Sequence, residues 1–109
     1  MNSNIVNLYP VPTQNVGAMK MLTVSSSVVK LTSGGYTFDG NTKYVTLDVQ
    51  DNDVRVTYTD EDPVNTGGSE KGHILYAGNS YTWSKQAAMS AKFLAVGGDA
   101  IVAASQFTF

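Results

Sequence analysis

Cysteine is absent from the 109-residue chain, which excludes a disulfide framework, a thiolate nucleophile and a cysteine-ligated zinc. Charge is scarce as well. Charged residues make up 15% of the chain, against roughly 25% in an average soluble domain, and seven basic residues face nine acidic ones. A nucleic-acid surface built on a basic patch is therefore not expected. No apolar run approaches the ~20 residues that cross a bilayer, and Met1-Asn2-Ser3-Asn4 lacks the basic start of a signal peptide. The expectation is a soluble protein made in the cytoplasm, with no membrane partner. Helix formers are few: six leucines, two glutamates and one arginine leave little to build long amphipathic helices from. Without crossover helices, a parallel α/β fold is excluded.

What the chain has is strand and turn material. Thirteen valines, eleven threonines and eleven aromatic residues alternate with glycine, serine and asparagine, the composition of short strands separated by tight turns. The length fits one domain with one core. We expect an all-β fold, an antiparallel β-sandwich or a jelly-roll-like barrel of seven or eight short strands. It divides into an extended N-terminal arm, residues 1–19, and a sandwich domain, residues 20–109.

The arm is read from Pro10 and Pro12, which remove donors and bias their neighbours to extended backbone. Ile5, Val6, Leu8, Tyr9 and Val11 would lie across a neighbouring molecule, because apolar side chains of this size gain little in open water. Residues 20–31 read as one strand, or as two broken near Ser25-Ser26-Ser27. After turns at Gly34-Gly35 and Asp39-Gly40-Asn41, residues 43–50 alternate, placing Val45, Leu47 and Val49 in the core. Val54, Val56 and Tyr58 oppose Arg55, Thr57 and Thr59 in the next strand, and the two are expected to form a hairpin about Asp51-Asn52-Asp53. Residues 60–72 form a long polar loop, the kind of segment that carries function. Short strands follow at 73–76 and 80–84. Residues 85–91 are the one stretch with helical propensity, either a single turn or an irregular lead into a strand at 92–96. The last strand, residues 100–109, places Ile101, Ala103, Ser105, Phe107 and Phe109 on one face.

Four features of the sequence could carry chemistry. The single histidine, His73, has no nucleophile motif near it and reads as a structural imidazole hydrogen-bonded near the loop base. Carboxylates cluster at Asp48, Asp51 and Asp53 and again at Asp60, Glu61 and Asp62, without calcium-loop spacing, and read as turn caps and solubilising charge. Gly67-Gly68 is not part of a phosphate loop. Tyr81 and Trp83, with Tyr76 and Tyr58, could form an aromatic platform for a sugar, although aromatics on short strands more often belong to a core. No enzyme, metal or cofactor is expected.

The run Asp53-Val54-Arg55-Val56-Thr57-Tyr58, the Asp60-Glu61-Asp62-Pro63 loop with Asn65-Thr66-Gly67-Gly68, then Gly72-His73-Ile74-Leu75, Ala77-Gly78-Asn79 and the closing strand resemble small structural proteins of tailed bacteriophages. The resemblance covers residues 43–109. It departs from the family pattern at Glu61, where a glycine is usual, and at Val64, where a threonine is usual. It implies a virion component on the capsid surface, a decoration or cement protein bound to the major capsid protein; the flat small-residue stretches Ser25-Ser26-Ser27 and 100–104 suggest contacts with sister copies as a dimer or trimer. Contacts would come from the arm and from Asp60, Asp62, Pro63, Asn65 and Lys71 of the loop. Alternatives are a head-to-tail connector, a head-fibre or tail protein, or a carbohydrate-binding module on the virion.

Overall fold

The computed structural model describes residues 14, 15 and 17–108. Eight strands and one short helix follow in the order β1 (Gln14–Asn15), β2 (Lys20–Val24), β3 (Tyr44–Gln50), β4 (Val54–Thr57), β5 (His73–Leu75), β6 (Ser80–Ser84), α1 (Lys85–Ser90), β7 (Lys92–Ala95) and β8 (Ala100–Thr108). They build two antiparallel sheets. In the larger, β8 is central: β3 pairs one side of it, β1 and β2 share the other, and β6 extends β3. In the smaller, β4 lies between β5 and β7. The fold is all-β and sandwich-like, as its composition implies.

Alternation along the strands sets which side chains face inward. Val45, Leu47 and Val49 of β3 are fully buried, as expected, and they meet Val54, Val56 and Phe93 of the opposite sheet in one apolar cluster. Along β8 the inward set is Ala100, Val102, Ala104 and Gln106, so Ile101, Ser105 and Phe107 lie on the outer side. Removing a large member of such a cluster, Leu47→Ala or Phe93→Ala, costs about 2–5 kcal/mol.

The expected hairpin between residues 43–50 and 54–59 does not form. β3 pairs with β6 and β8, whereas β4 pairs with β5 and β7. Asp51 takes a left-handed backbone, φ 75°, and Asn52 Nδ2 donates to the Asp99 carbonyl at 2.8 Å. The turn is a corner that carries the chain from one sheet to the other, and burial of Val45, Leu47 and Val49 against Val54 and Val56 replaces strand pairing as the link between them. Local alternation is the same in a hairpin and in a corner, so sequence pattern alone does not separate them.

Residues 20–31 take the broken form. β2 ends at Val24, and the chain then crosses to the smaller sheet. There Ala95 donates its amide to the Ser25 carbonyl at 3.0 Å and Val29 bridges Phe93. This crossing covers the outer edge of β7. The stretch with helical propensity is a six-residue helix, capped where Ser84 Oγ accepts from the Ala87 amide, with Ala88 buried. At that length it is held by packing and by its cap.

Candidate functional site

The loop between β4 and β5 is braced at three levels. At its base Arg55 Nε donates to Asn65 Oδ1 at 2.9 Å, Asn65 Nδ2 donates to the Ala95 carbonyl at 2.7 Å, and Arg55 Nη1 donates to the Gly72 carbonyl at 3.2 Å. One arginine and one asparagine thus tie both ends of the loop to the smaller sheet. Midway, Val64 and Lys71 exchange two backbone hydrogen bonds of 3.0 Å, and Thr57 Oγ1 donates to the Glu61 carbonyl at 2.7 Å. At the rim, Lys71 pairs with Glu61 at 2.9 Å, while Lys92 donates to the Asp60 carbonyl at 2.7 Å and to Asp62 Oδ1 at 3.2 Å. The rim ion pairs are exposed and add little stability. The two base bonds of Asn65 are part-buried and, with the exposed bond from Arg55 to Gly72, set the loop's shape.

Of the loop residues read as partner contacts, Asp60, Asp62 and Lys71 are exposed, whereas Pro63 is buried and Asn65 spends its amide inside the fold. Pro63 and Asn65 therefore build the loop, and its outer face belongs to the charged residues. Among the described residues, the Asp60 and Glu70 carboxylates have no ion-pair partner. The loop presents net negative charge on a fixed frame. The arm residues Ile5, Val6, Leu8, Tyr9 and Val11 lie outside the described residues. The end of the expected arm is an edge strand: Gln14 and Asn15 pair with Thr108 and Phe107. Beside it, Gly17, Met19, Lys20, Tyr36 and Asp39 line a cleft of about 350 Å³.

The aromatic residues do not form a platform. Trp83 stacks on Phe93 with ring centroids 6.2 Å apart and planes 2° apart, and its edge meets Tyr58 at 5.1 Å. Tyr81 is half-buried, and its hydroxyl accepts from the Tyr76 amide at 2.9 Å, linking β6 to the end of β5. Tyr58 and Tyr76 are the exposed members. Burial, and then the neighbouring Tyr81, hold the Tyr58 hydroxyl above its ordinary pKa. His73 is exposed and rests against Tyr58 at 6.2 Å. Among the described residues no hydrogen bond holds its imidazole, which differs from the expected anchored histidine.

The acidic clusters serve local structure. Asp53 Oδ1 accepts from the Ala77 amide at 2.8 Å and Asp48 Oδ1 from Ser80 Oγ at 2.6 Å. Among the described residues no group of three His, Asp or Glu side chains is placed to hold a metal ion.

Sequence reasoning missed Gln106. Fully buried, it accepts from the Asp39 amide at 2.8 Å and from Thr42 Oγ1, and its Nε2 donates to the Thr37 carbonyl at 2.8 Å. It closes the 37–42 turn that leads into β3. The signal was present: alternation places Gln106 on the face of Val102 and Ala104, where a lone amide must find partners.

Comparison of the chain with protein-family models, with curated proteins and with solved structures finds no match.

Proposed function

We propose that this chain is a non-enzymatic structural protein of a tailed-phage virion, a decoration or cement protein that binds the shell of the major capsid protein through its N-terminal segment and its acidic loop. The observation that carries the reading is the bracing of the loop by Arg55 and Asn65. A surface fixed before contact loses little conformational freedom on binding, so more of its interaction energy appears as affinity. The carboxylates of Asp60 and Glu70, without an ion-pair partner among the described residues, suit a basic groove between shell subunits. An N-terminal segment that enters the fold through the β1 edge supplies a second attachment point, and two tethered contacts on a repeating lattice gain avidity. The resemblance of residues 43–109 to phage structural proteins points the same way.

Deletion of residues 2–13 tests the arm directly. The shortened protein is expected to melt cooperatively yet fail to co-sediment with purified particles. Binding at full occupancy would rule the arm out as an anchor. A connector or tail role differs in copy number. The carbohydrate reading is weaker, because Trp83 turns its ring face to Phe93.

A further inference from the structure

We propose that the outer edge of β6 receives residues 4–9 of a second copy of this chain as an added strand. The proposal does not depend on the virion reading. Lys85 donates its amide to the Lys43 carbonyl at 3.2 Å, and the register continues as Tyr44 opposite Ser84, Val45 opposite Trp83 and Thr46 opposite Thr82. In an antiparallel ladder bonded pairs alternate with non-bonded ones, so Trp83 and Tyr81 bond inward to β3, and Ser80 and Thr82 turn their N–H and C=O groups outward. Among the described residues no backbone group pairs with that edge.

Both edges of the smaller sheet are protected, and the far edge of the larger one carries Lys20. The β7 edge is covered by residues 25–29, and β5 is only three residues long, with Tyr81 bonded just beyond it. The β6 sequence, Ser-Tyr-Thr-Trp-Ser, has no charge, no proline and no bulge, the devices that normally keep an edge from pairing.

The occupant follows from sequence and reach. Residues 2–9 form the stretch of the undescribed N-terminus that has no proline, and Pro10 and Pro12 end its pairing capacity. Strand alternation in such a pairing would put Val6 and Leu8 on the inner face with Tyr81, and Ile5, Asn7 and Tyr9 on the outer face with Ser80 and Thr82. A chain cannot do this to itself. Gln14 sits on the opposite side of the larger sheet from β6, so a strand added beyond β6 lies four strand spacings, about 19 Å, from it. The five residues from Tyr9 to Gln14 reach at most about 18 Å, and they would also have to pass around the sheet. Because the donor leaves one edge and the acceptor is the other, each copy can give and receive, and the contact runs on into rings or chains.

The test uses the protein alone in solution, so its failure is distinct from failure of the particle reading. Thr82→Pro removes an outward N–H without touching the β3 ladder, and a variant lacking residues 2–9 removes the donor. In sedimentation velocity at about 100 μM, the full chain is expected to exceed monomer mass and each variant to be monomeric. Mixing the two should give a 1:1 dimer that grows no further, since one lacks the donor and the other the acceptor. A monomeric full chain, variants that associate like the full chain, or a mixture that stays monomeric would overturn the proposal. If Thr82→Pro does not fold, amide exchange at Thr82 decides: slower in the full chain than in the shortened one supports strand addition, and equal rates refute it.

Discussion

Gln106 shows how a single side chain fixes a turn in a fold made mostly of valine and threonine. Its buried amide satisfies two donors and one carbonyl of the 37–42 segment, in one buried bond, with the Thr42 hydroxyl, and two part-buried ones. Gln106→Leu keeps the volume but leaves those groups without partners, and each buried orphan costs about 1–3 kcal/mol. Urea unfolding is expected to show a loss of at least about 2 kcal/mol, well above an ordinary surface change. Tyr36 packs nearby, edge-on to Phe38 at 5.3 Å, with its hydroxyl toward the Ala104 carbonyl at 3.4 Å. Burial raises its pKa above the ordinary 10.0, more than its bond to Gln106 lowers it. The unfolded chain therefore loses this proton at lower pH than the folded one. The stability contributed by neutral Tyr36 is complete below pH 10, the ordinary value, and is lost as pH rises through the folded-state value. Stability measured by urea from pH 8 to 11 should fall at the alkaline end, and Tyr36→Phe should flatten that fall. An unchanged slope would show that Tyr36 is not the group responsible.

At the level of elements, Gly72 shows what the loop frame requires. It adopts φ +118°, and an added Cβ would stand 2.8 Å from the Val56 carbonyl and 2.9 Å from Arg55 Cγ. The carbonyl belongs to the β4 ladder and cannot yield, so Gly72→Ala must displace the start of β5 or the Arg55 brace. We expect a loss of about 1–3 kcal/mol and faster amide exchange at Val64 and Lys71, whose mutual bonds depend on that frame. Substitution at Gly67, where a Cβ meets nothing within 4 Å, should be far milder. Much of this level was legible in the sequence. Strict alternation marked Val45, Leu47 and Val49, serines and glycines marked the breaks, and the short helix coincided with the one stretch of helical propensity. The sheet assignment of β3 and β4 was not legible, because a two-residue period says which side chains are buried together and nothing about which strand lies alongside. The brace was hidden for a related reason: Arg55 and Asn65 are polar residues ten positions apart, and only the fold brings Nε and Oδ1 to 2.9 Å.

For the whole molecule, the two-sheet core is a scaffold with an acidic braced loop on one side and an N-terminal segment joining at a sheet edge. Of the aromatic residues that suggested a sugar platform, Tyr81 and Trp83 pack against the core and Tyr58 and Tyr76 are exposed, while Asp60, Asp62 and Lys71 lie on the surface. The functional reading rests on how such a scaffold works in many copies: weak individual contacts, fixed in shape and repeated over a lattice, sum to a stable shell. The most direct test is the copy number in purified particles, by quantitative mass spectrometry with the major capsid protein as internal standard. A ratio near one copy per capsid subunit, or a simple fraction of it, is the predicted result. A ratio near one hundredth would assign the protein to the tail axis, and its absence from particles would contradict a virion role altogether.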